Sequence, residues 1–210
     1  MTVIIEPVTK PLPEPAKAAL ASSPSVLGIV GSPRPGGNTD VLVSHMLEGA
    51  ANAGATVERV FLEDLVIRDC IGCHACWNGK PCVRRDDMNT LFEKIAAASA
   101  FVFGTPIYWY GSTALMKAFI DRFVYFNCPG HREEVAGKPV ALVIPYEEED
   151  QAMADGTLQF FENSLRYLTM PLVGSVVAPG VTLRGEVAKK EDVMQEAYDL
   201  GKRLVGGIAG

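Results

Sequence analysis

The chain has 210 residues, of which 48% are hydrophobic and 21% charged, and its formal net charge is −6. These values fit one globular domain with a sizeable core. The negative net charge argues against nucleic acid as a partner, and no cluster of Lys and Arg offers a footprint for a phosphate backbone. The composition also argues against a membrane protein, because no stretch approaches the roughly 18 apolar residues of a membrane span.

The first segment, residues 1–24, contains prolines at positions 7, 11, 13, 15 and 24. It lacks the basic start and long apolar core of a signal peptide. We interpret it as a proline-rich N-terminal arm outside the core. Two alternatives stay open for it, an arm lying on a neighbouring subunit and a disordered tail.

The first strand is predicted over residues 26–30, and the sequence Gly-Ser-Pro-Arg-Pro-Gly-Gly-Asn-Thr follows it at 31–39. A helical pattern begins near Asp40. Strand, glycine-rich turn and helix start together are typical of an anion site, where backbone N–H groups and the helix dipole face a phosphate. The alternative is a tight turn without a ligand.

Side chains in this loop add to the predicted phosphate site. Ser32, Asn38 and Thr39 supply hydrogen-bond donors, and Arg34 supplies a charge-assisted donor. The loop has neither the lysine of a nucleoside-triphosphate P-loop nor the G-x-G-x-x-G of a dinucleotide fold. In the alternative without a ligand, Asn38 or Thr39 only caps the helix.

Apolar strands alternate with helical patterns along the rest of the chain, which predicts an α/β domain with a parallel sheet over residues 25–210. In a three-layer, doubly wound, five-stranded sheet of order 2-1-3-4-5, ligands bind between the ends of the first and third strands. The predicted strands are 26–30, 55–62, 100–104, 139–144 and 173–178. The predicted helices are 40–52, 88–98, 112–123, 152–168 and 189–205, and Asp86 or Asp87 is expected to cap the second.

A second loop, residues 105–111, follows the third strand and should therefore lie beside the first loop. It carries Tyr108, Trp109 and Tyr110 in succession. Aromatic side chains and free backbone groups suit a flat aromatic ligand. The alternative is that these aromatics belong to the core or to a subunit surface. Residues 124–137 are expected to help roof this pocket.

Four of the five cysteines are crowded into a long loop, residues 70–85, with the spacing C-x2-C-x2-C-x5-C. This spacing favours a [4Fe–4S] cluster, which takes four cysteine thiolates. Zinc and free thiols are the alternatives. The cysteines concerned are Cys70, Cys73, Cys76 and Cys82. Cys128 stands apart as a plain buried or loop thiol, and His74 is a weaker candidate ligand.

Three motifs resemble a known family. The loops GSPRPGGNT and TPIYWYGSTALMKAFIDR resemble the NADPH-dependent FMN reductase group of flavodoxin-like proteins, and CIGCHACWNGKPCVRRDDM resembles its iron–sulfur flavoprotein branch. The resemblance covers roughly residues 25–205. It implies a flavodoxin-like fold, FMN, and a homodimer or homotetramer with flavin sites near subunit contacts. It also implies phosphate contacts from Ser32, Arg34, Asn38 and Thr39, and ring contacts from Pro106, Ile107, Tyr108, Trp109 and Gly111.

The expected function is that of an FMN-dependent oxidoreductase between a donor, NAD(P)H or a ferredoxin-type protein, and a small-molecule acceptor. No acid–base residue is assigned, because none of the histidines at positions 45, 74 and 131 has a catalytic signature. A cytoplasmic location is expected from the reduced cysteines. A non-enzymatic electron carrier and a redox- or metal-sensing protein are the alternatives.

Overall fold

Five parallel strands form a sheet in the order β2-β1-β3-β4-β5, so the predicted order 2-1-3-4-5 is confirmed. The computed structural model describes residues 23–208. Strands β1, β3 and β4 are buried along nearly their whole length, as the central strands of a parallel sheet must be. The strands are β1 (Ser25–Val30), β2 (Thr56–Phe61), β3 (Ala100–Gly104), β4 (Val140–Pro145) and β5 (Leu172–Ala178).

Helices cover both faces of the sheet and give the three layers expected. Alternate strand residues, such as Val102 and Phe103, point to opposite faces. One face packs against α1 and α5, and the other against α2, α3 and α4. The helices are α1 (Asn38–Asn52), α2 (Met88–Ala97), α3 (Ala114–Asp121), α4 (Asp155–Tyr167) and α5 (Glu191–Gly206).

Helix α1 is held close against α5 by two glycines. A Cβ on Gly49 would overlap the backbone of Tyr198, and a Cβ on Gly201 would overlap the backbone of Met46. The two helix backbones therefore approach each other directly at these points. This close packing fixes the N-terminus of α1 at the edge of the sheet where β1 ends.

Four of the five predicted helix starts differ from the structure, since α3 and α5 each begin two residues later than predicted and the other two are α1 and α4. Helix α1 begins two residues earlier than predicted, and a 3₁₀ turn at Gln151–Ala154 precedes α4. The predicted cap of α2 is wrong, because neither carboxylate caps the helix. Asp87 instead accepts a hydrogen bond from the Val66 N–H (2.7 Å), and Asp86 accepts one from the Arg68 N–H (3.1 Å). Both aspartates thus tie down the chain before the cysteine loop.

The segment 124–137 is not a roof over the pocket between the first and second loops, so that expectation is wrong. Its residues Phe126, Cys128 and Val135 are buried, and they draw the segment into the core. Val124 and Tyr125 border the cysteine loop instead.

Of the predicted arm 1–24, all but residues 23 and 24 lie outside the described residues. No helix of the described part is both long and apolar enough to cross a membrane.

Candidate functional site

The carboxyl ends of β1 and β3 open into a pocket of about 380 Å³. This volume lies in the range of small-molecule sites. The two predicted loops meet there, and the pocket contains eight of the nine residues predicted to bind a flavin. They are Ser32, Arg34, Asn38, Thr39, Pro106, Ile107, Tyr108 and Trp109. Gly111 is the exception, because it closes a turn rather than lining the pocket.

One end of the pocket is built to receive an anion. Gly37 caps α1 without a side-chain hydrogen bond, so the first backbone N–H groups of the helix stay available to a ligand. The Gly36 N–H donates to the Asp40 carboxylate (2.7 Å), which holds Gly36 at a φ of +69°. Asp40 is in turn paired with Arg59 (2.7 Å), which offsets its negative charge near the site. A phosphate group therefore fits this end of the pocket.

The Asn38 side chain was predicted to contact a phosphate, but in the structure it holds a neighbouring loop in place. Its side-chain amide donates to the carbonyl oxygens of Val181 (3.2 Å) and Leu183 (3.1 Å), and its oxygen accepts from the Val187 N–H (3.0 Å). The side chain is therefore engaged by the loop after β5, and only its backbone N–H at the helix start remains for a phosphate.

The loop after β5, residues 179–187, forms a third wall of the pocket beside the first loop and the second loop. The sequence did not predict this wall. The Arg184 guanidinium donates to the Pro35 carbonyl, which places a second cation beside Arg34 at the pocket. The rule that located the first two loops, applied to the ends of β4 and β5, would have found this wall. The missed lining residues are Pro145, Tyr146, Glu147, Val181, Thr182, Leu183 and Arg184.

Two ionisable groups of these walls have shifted pKa values. The pKa of Glu186 lies below its ordinary value, because its carboxylate accepts hydrogen bonds from the N–H groups of Leu183 (2.9 Å) and Thr182 (3.1 Å). Burial raises the pKa of Tyr146, and its hydroxyl donates to the Asp150 carbonyl (3.2 Å). Tyr146 thus stays protonated and is held as part of the wall.

The second loop, residues 105–111, is called the aromatic loop from here on. It contains a tight two-residue turn under backbone strain. Tyr108 and Gly111 exchange two backbone hydrogen bonds (2.8 and 3.2 Å), and Trp109 and Tyr110 between them have φ values of 49° and 63°. Side chains other than glycine or asparagine rarely adopt this left-handed conformation. Trp109 is nevertheless 96% exposed. Strain combined with exposure points to a role beyond packing.

Two threonines join the aromatic loop to the first loop. The Thr113 hydroxyl donates to the Gly31 carbonyl (2.5 Å), and the Thr113 N–H donates to the Thr105 hydroxyl (3.2 Å). Thr113 also caps α3 by accepting from the Met116 N–H (3.1 Å). The start of α3 therefore fixes both loops of the pocket.

The four clustered cysteines line a separate cavity, near the far end of α3. Cys82 Sγ accepts a hydrogen bond from Arg122 (3.3 Å), and Cys70 Sγ accepts one from the Gly72 N–H (3.4 Å). Such donors suit thiolate ligands. Within residues 23–208, however, no three His, Cys, Asp or Glu side chains stand close enough together to hold a metal ion. The donor set fits a cluster, whereas the sulfur positions do not converge on one point.

Cys128 belongs to the surroundings of this cavity and not to its lining. It is buried, and its thiol donates to the Val124 carbonyl (3.3 Å). Burial, followed by the neighbouring Cys76 side chain, raises its pKa to about 12. It is therefore a protonated buried thiol, as the sequence predicted.

The sequence profile of the NADPH-dependent FMN reductase family matches residues 24–180. This chain belongs to that family. It is 31% identical to an iron–sulfur flavoprotein of Archaeoglobus fulgidus over 178 residues, which are 85% of this chain and 77% of that protein. It is 26% identical to a Bacillus subtilis protein provisionally named NAD(P)H-dependent FMN-containing oxidoreductase YwqN, over 83% of this chain and 95% of that one.

Its fold matches that of a flavodoxin from the domain Archaea, with a TM-score of 0.55 and 13% identity over 89% of this chain and 99% of the other. The flavodoxin-like fold and the family resemblance are thereby confirmed. Membership makes the protein a flavin-dependent oxidoreductase that uses FMN.

Proposed function

We propose that this protein passes electrons between a reduced donor, NAD(P)H or a ferredoxin-type protein, and a small-molecule acceptor, through FMN and a [4Fe–4S] cluster. FMN would supply hydride and one-electron chemistry, and the cluster single-electron chemistry. The observation that carries the proposal is the pairing of an FMN-sized pocket with a cavity lined by four cysteines in one chain. The proposed ligands of the cluster are Cys70, Cys73, Cys76 and Cys82.

The pocket residues divide into two groups. The N–H groups at the start of α1 and the hydroxyls of Ser32 and Thr39 would bind the phosphate, and Arg34 and Arg184 would offset its charge. The flavin ring would lie against the aromatic loop, on the part of the pocket lined by Pro106, Ile107, Tyr108 and Trp109. These residues bind and orient the flavin, and the proposal needs no acid–base side chain.

A homodimer or homotetramer is part of the proposal. The FMN pocket and the cysteine cavity share no lining residue, and α3, whose eight residues span about 12 Å, separates them. Trp109, 96% exposed, and Tyr110 stand at the rim of the pocket, where a second copy can cover them. Light scattering coupled to size-exclusion chromatography would test the assembly. The cytoplasmic location stays a prediction from the cysteines.

The decisive experiment is anaerobic purification followed by absorption spectroscopy and by iron and sulfide analysis. We expect flavin bands, an added iron–sulfur shoulder and about four iron atoms per chain. Cys73→Ser should lose the iron and keep the FMN, and Cys128→Ser, the matched control, should keep both. Protein that binds FMN without iron after anaerobic reconstitution would refute the cluster, and protein that binds no FMN would refute the whole proposal.

Steady-state assays would separate an enzyme from a carrier. Oxidation of NADPH or NADH coupled to reduction of a quinone or nitroaromatic acceptor is expected for the enzyme. Reduction by a protein donor alone, with no turnover of any small acceptor, would instead establish the non-enzymatic electron carrier.

A further inference from the structure

Arg122 is an unusual residue for the interior of a protein. It lies directly after α3, its side chain is 1% exposed, and its Nη1 atom is paired with both oxygens of Asp86 (3.0 and 2.8 Å), also 1% exposed. Buried ion pairs of this kind often add little stability, since apolar residues of similar size can replace them. A reason other than stability is therefore needed for this pair.

The remaining hydrogen bonds of Arg122 lie at the two ends of the cysteine loop. Nη1 also donates to the Arg68 carbonyl (3.0 Å) just before the loop, and Nη2 donates to Cys82 Sγ (3.3 Å) near its end. The same guanidinium thus joins both ends of the loop. Because Asp86 holds Nη1, the planar fork of the guanidinium aims Nη2 at the sulfur.

Cys82 differs from the other three cysteines in this respect. Among residues 23–208, it is the one clustered cysteine whose sulfur accepts a hydrogen bond from a cationic side chain, whereas Cys70 accepts one from a backbone N–H. Hydrogen bonds to cysteine sulfurs and nearby charge set the potential of an iron–sulfur cluster. A cation at one sulfur favours the reduced cluster, which carries one more negative charge.

We propose that Arg122 is a positioning residue that orients Cys82 as a cluster ligand and raises the reduction potential of the cluster. This inference rests on the proposed cluster and assigns a role to a residue outside its four ligands. Asp86 acts through Arg122, because it fixes the direction of the Nη2–Sγ hydrogen bond.

The test compares the anaerobically reconstituted wild type with Arg122→Lys, which keeps the positive charge beside Asp86 and loses the fork. The matched control is Arg85→Lys, at an exposed arginine three residues after Cys82. Iron per chain and bound FMN are measured first. The midpoint potential of the cluster is then measured by a redox titration followed by electron paramagnetic resonance.

We expect Arg122→Lys to keep its FMN and to shift the reduction equilibrium of the cluster about tenfold towards the oxidised form, which is about 59 mV for one electron. Arg85→Lys should leave the potential unchanged. Loss of most iron from Arg122→Lys, with FMN and the circular dichroism spectrum retained, would equally support the inference.

Three results would overturn it or what it rests on. A wild-type potential in Arg122→Lys with full iron content overturns the role of Arg122. An equal shift in Arg85→Lys overturns it too, because the effect would then not depend on the hydrogen bond from Arg122 to Cys82. A wild type without iron overturns the proposed cluster itself. Should Arg122→Lys not fold, the double variant Arg122→Met with Asp86→Leu removes both charges together, and the same shift is expected from it.

Discussion

The proposed flavin pocket and the cysteine loop are organised by different means. The pocket is built from strand ends and a helix start, and Thr113 and Asn38 join its three walls by hydrogen bonds. The cysteine loop contains one 3₁₀ turn, at Cys76–Asn78, and is held at its ends by the Arg122–Asp86 pair and by the Arg84–Asp69 pair. The pocket is therefore fixed on three sides by secondary structure and side-chain hydrogen bonds, whereas the cysteine loop is anchored at its ends and has little regular structure between them.

The largest expected effect is on the anchoring of the cysteine loop. Asp86→Ala leaves the Arg122 guanidinium buried without its partner, which should lower the free energy of unfolding by about 3–5 kcal/mol. Urea denaturation of the apoprotein, followed by circular dichroism, measures this loss. In the folded fraction, FMN affinity should be unchanged, because Asp86 is absent from the pocket.

Asp87→Ala is the matched control for this prediction. Asp87 accepts one hydrogen bond, from the exposed Val66 N–H (2.7 Å), so its loss should cost about 1 kcal/mol. Equal losses in the two variants would show that burial of the ion pair does not dominate the anchoring of the loop.

The next largest effect should appear in the pocket. Asn38→Ala removes three hydrogen bonds that hold the loop after β5. At about 1 kcal/mol for each bond, the three bonds together are worth about 3 kcal/mol, so FMN affinity should fall by up to roughly 150-fold. Fluorescence titration of FMN measures this change, and iron content should stay at the wild-type level.

Asn52→Ala, at the other end of α1, is its control. Asn52 donates to the Tyr198 hydroxyl (3.0 Å) away from both sites, and its loss should leave FMN affinity within twofold. An equally small change in Asn38→Ala would mean that the loop after β5 holds its place without the asparagine.

Local patterns predicted the strands, and the rule for a doubly wound parallel sheet then supplied the sheet order and the meeting of the two loops. Apolar runs identify the strands, and parallel strands bring their carboxyl ends to one edge. The role of Asn38 could not be predicted in this way, since its partners Val181 and Val187 lie more than 140 residues away. No local pattern identifies such contacts.

The prediction of the α2 cap was wrong for the same reason, because the partner that decides it is distant in the sequence. An aspartate just before a helical pattern is ordinarily a cap. Here Asp86 forms an ion pair with Arg122, 36 residues further along the chain, at the cysteine cavity. A buried charged partner outweighs a helix cap, because an unpaired buried guanidinium would cost more than an uncapped N–H.

A smaller effect is expected at the aromatic turn. Asparagine followed by glycine is the preferred pair for a two-residue turn with positive φ. The double variant Trp109→Asn with Tyr110→Gly should therefore raise the free energy of unfolding of the apoprotein by about 1–2 kcal/mol, and it should weaken FMN binding. Thermal unfolding and FMN titration measure the two changes.

Tyr167→Asn serves as the control, because Tyr167 is also an exposed aromatic but has no positive φ. It should give no stabilisation. A double variant that is less stable than the wild type would show that the aromatic turn packs against something in the folded protein and is not strained for the sake of the pocket.

The smallest effect should be a pH dependence carried by Glu186. Its pKa is lowered in the folded protein by the N–H groups of Leu183 and Thr182, so its contribution is present above the ordinary value of about 4.5 and is lost as the pH falls through the lowered pKa. Acid should therefore loosen the loop after β5 and weaken FMN binding. Glu186→Gln keeps an acceptor and does not titrate in this range.

The ratio of the FMN dissociation constants at pH 4 and pH 7 should accordingly be larger in the wild type than in Glu186→Gln. Titration of the FMN phosphate affects both proteins alike, so it cancels in the comparison. Glu191→Gln, an exposed change at the start of α5, should behave as the wild type. Identical ratios in all three proteins would show that Asn38 and Arg184 hold this wall of the pocket without help from Glu186. FMN binding would then not depend on the ionisation of that carboxylate.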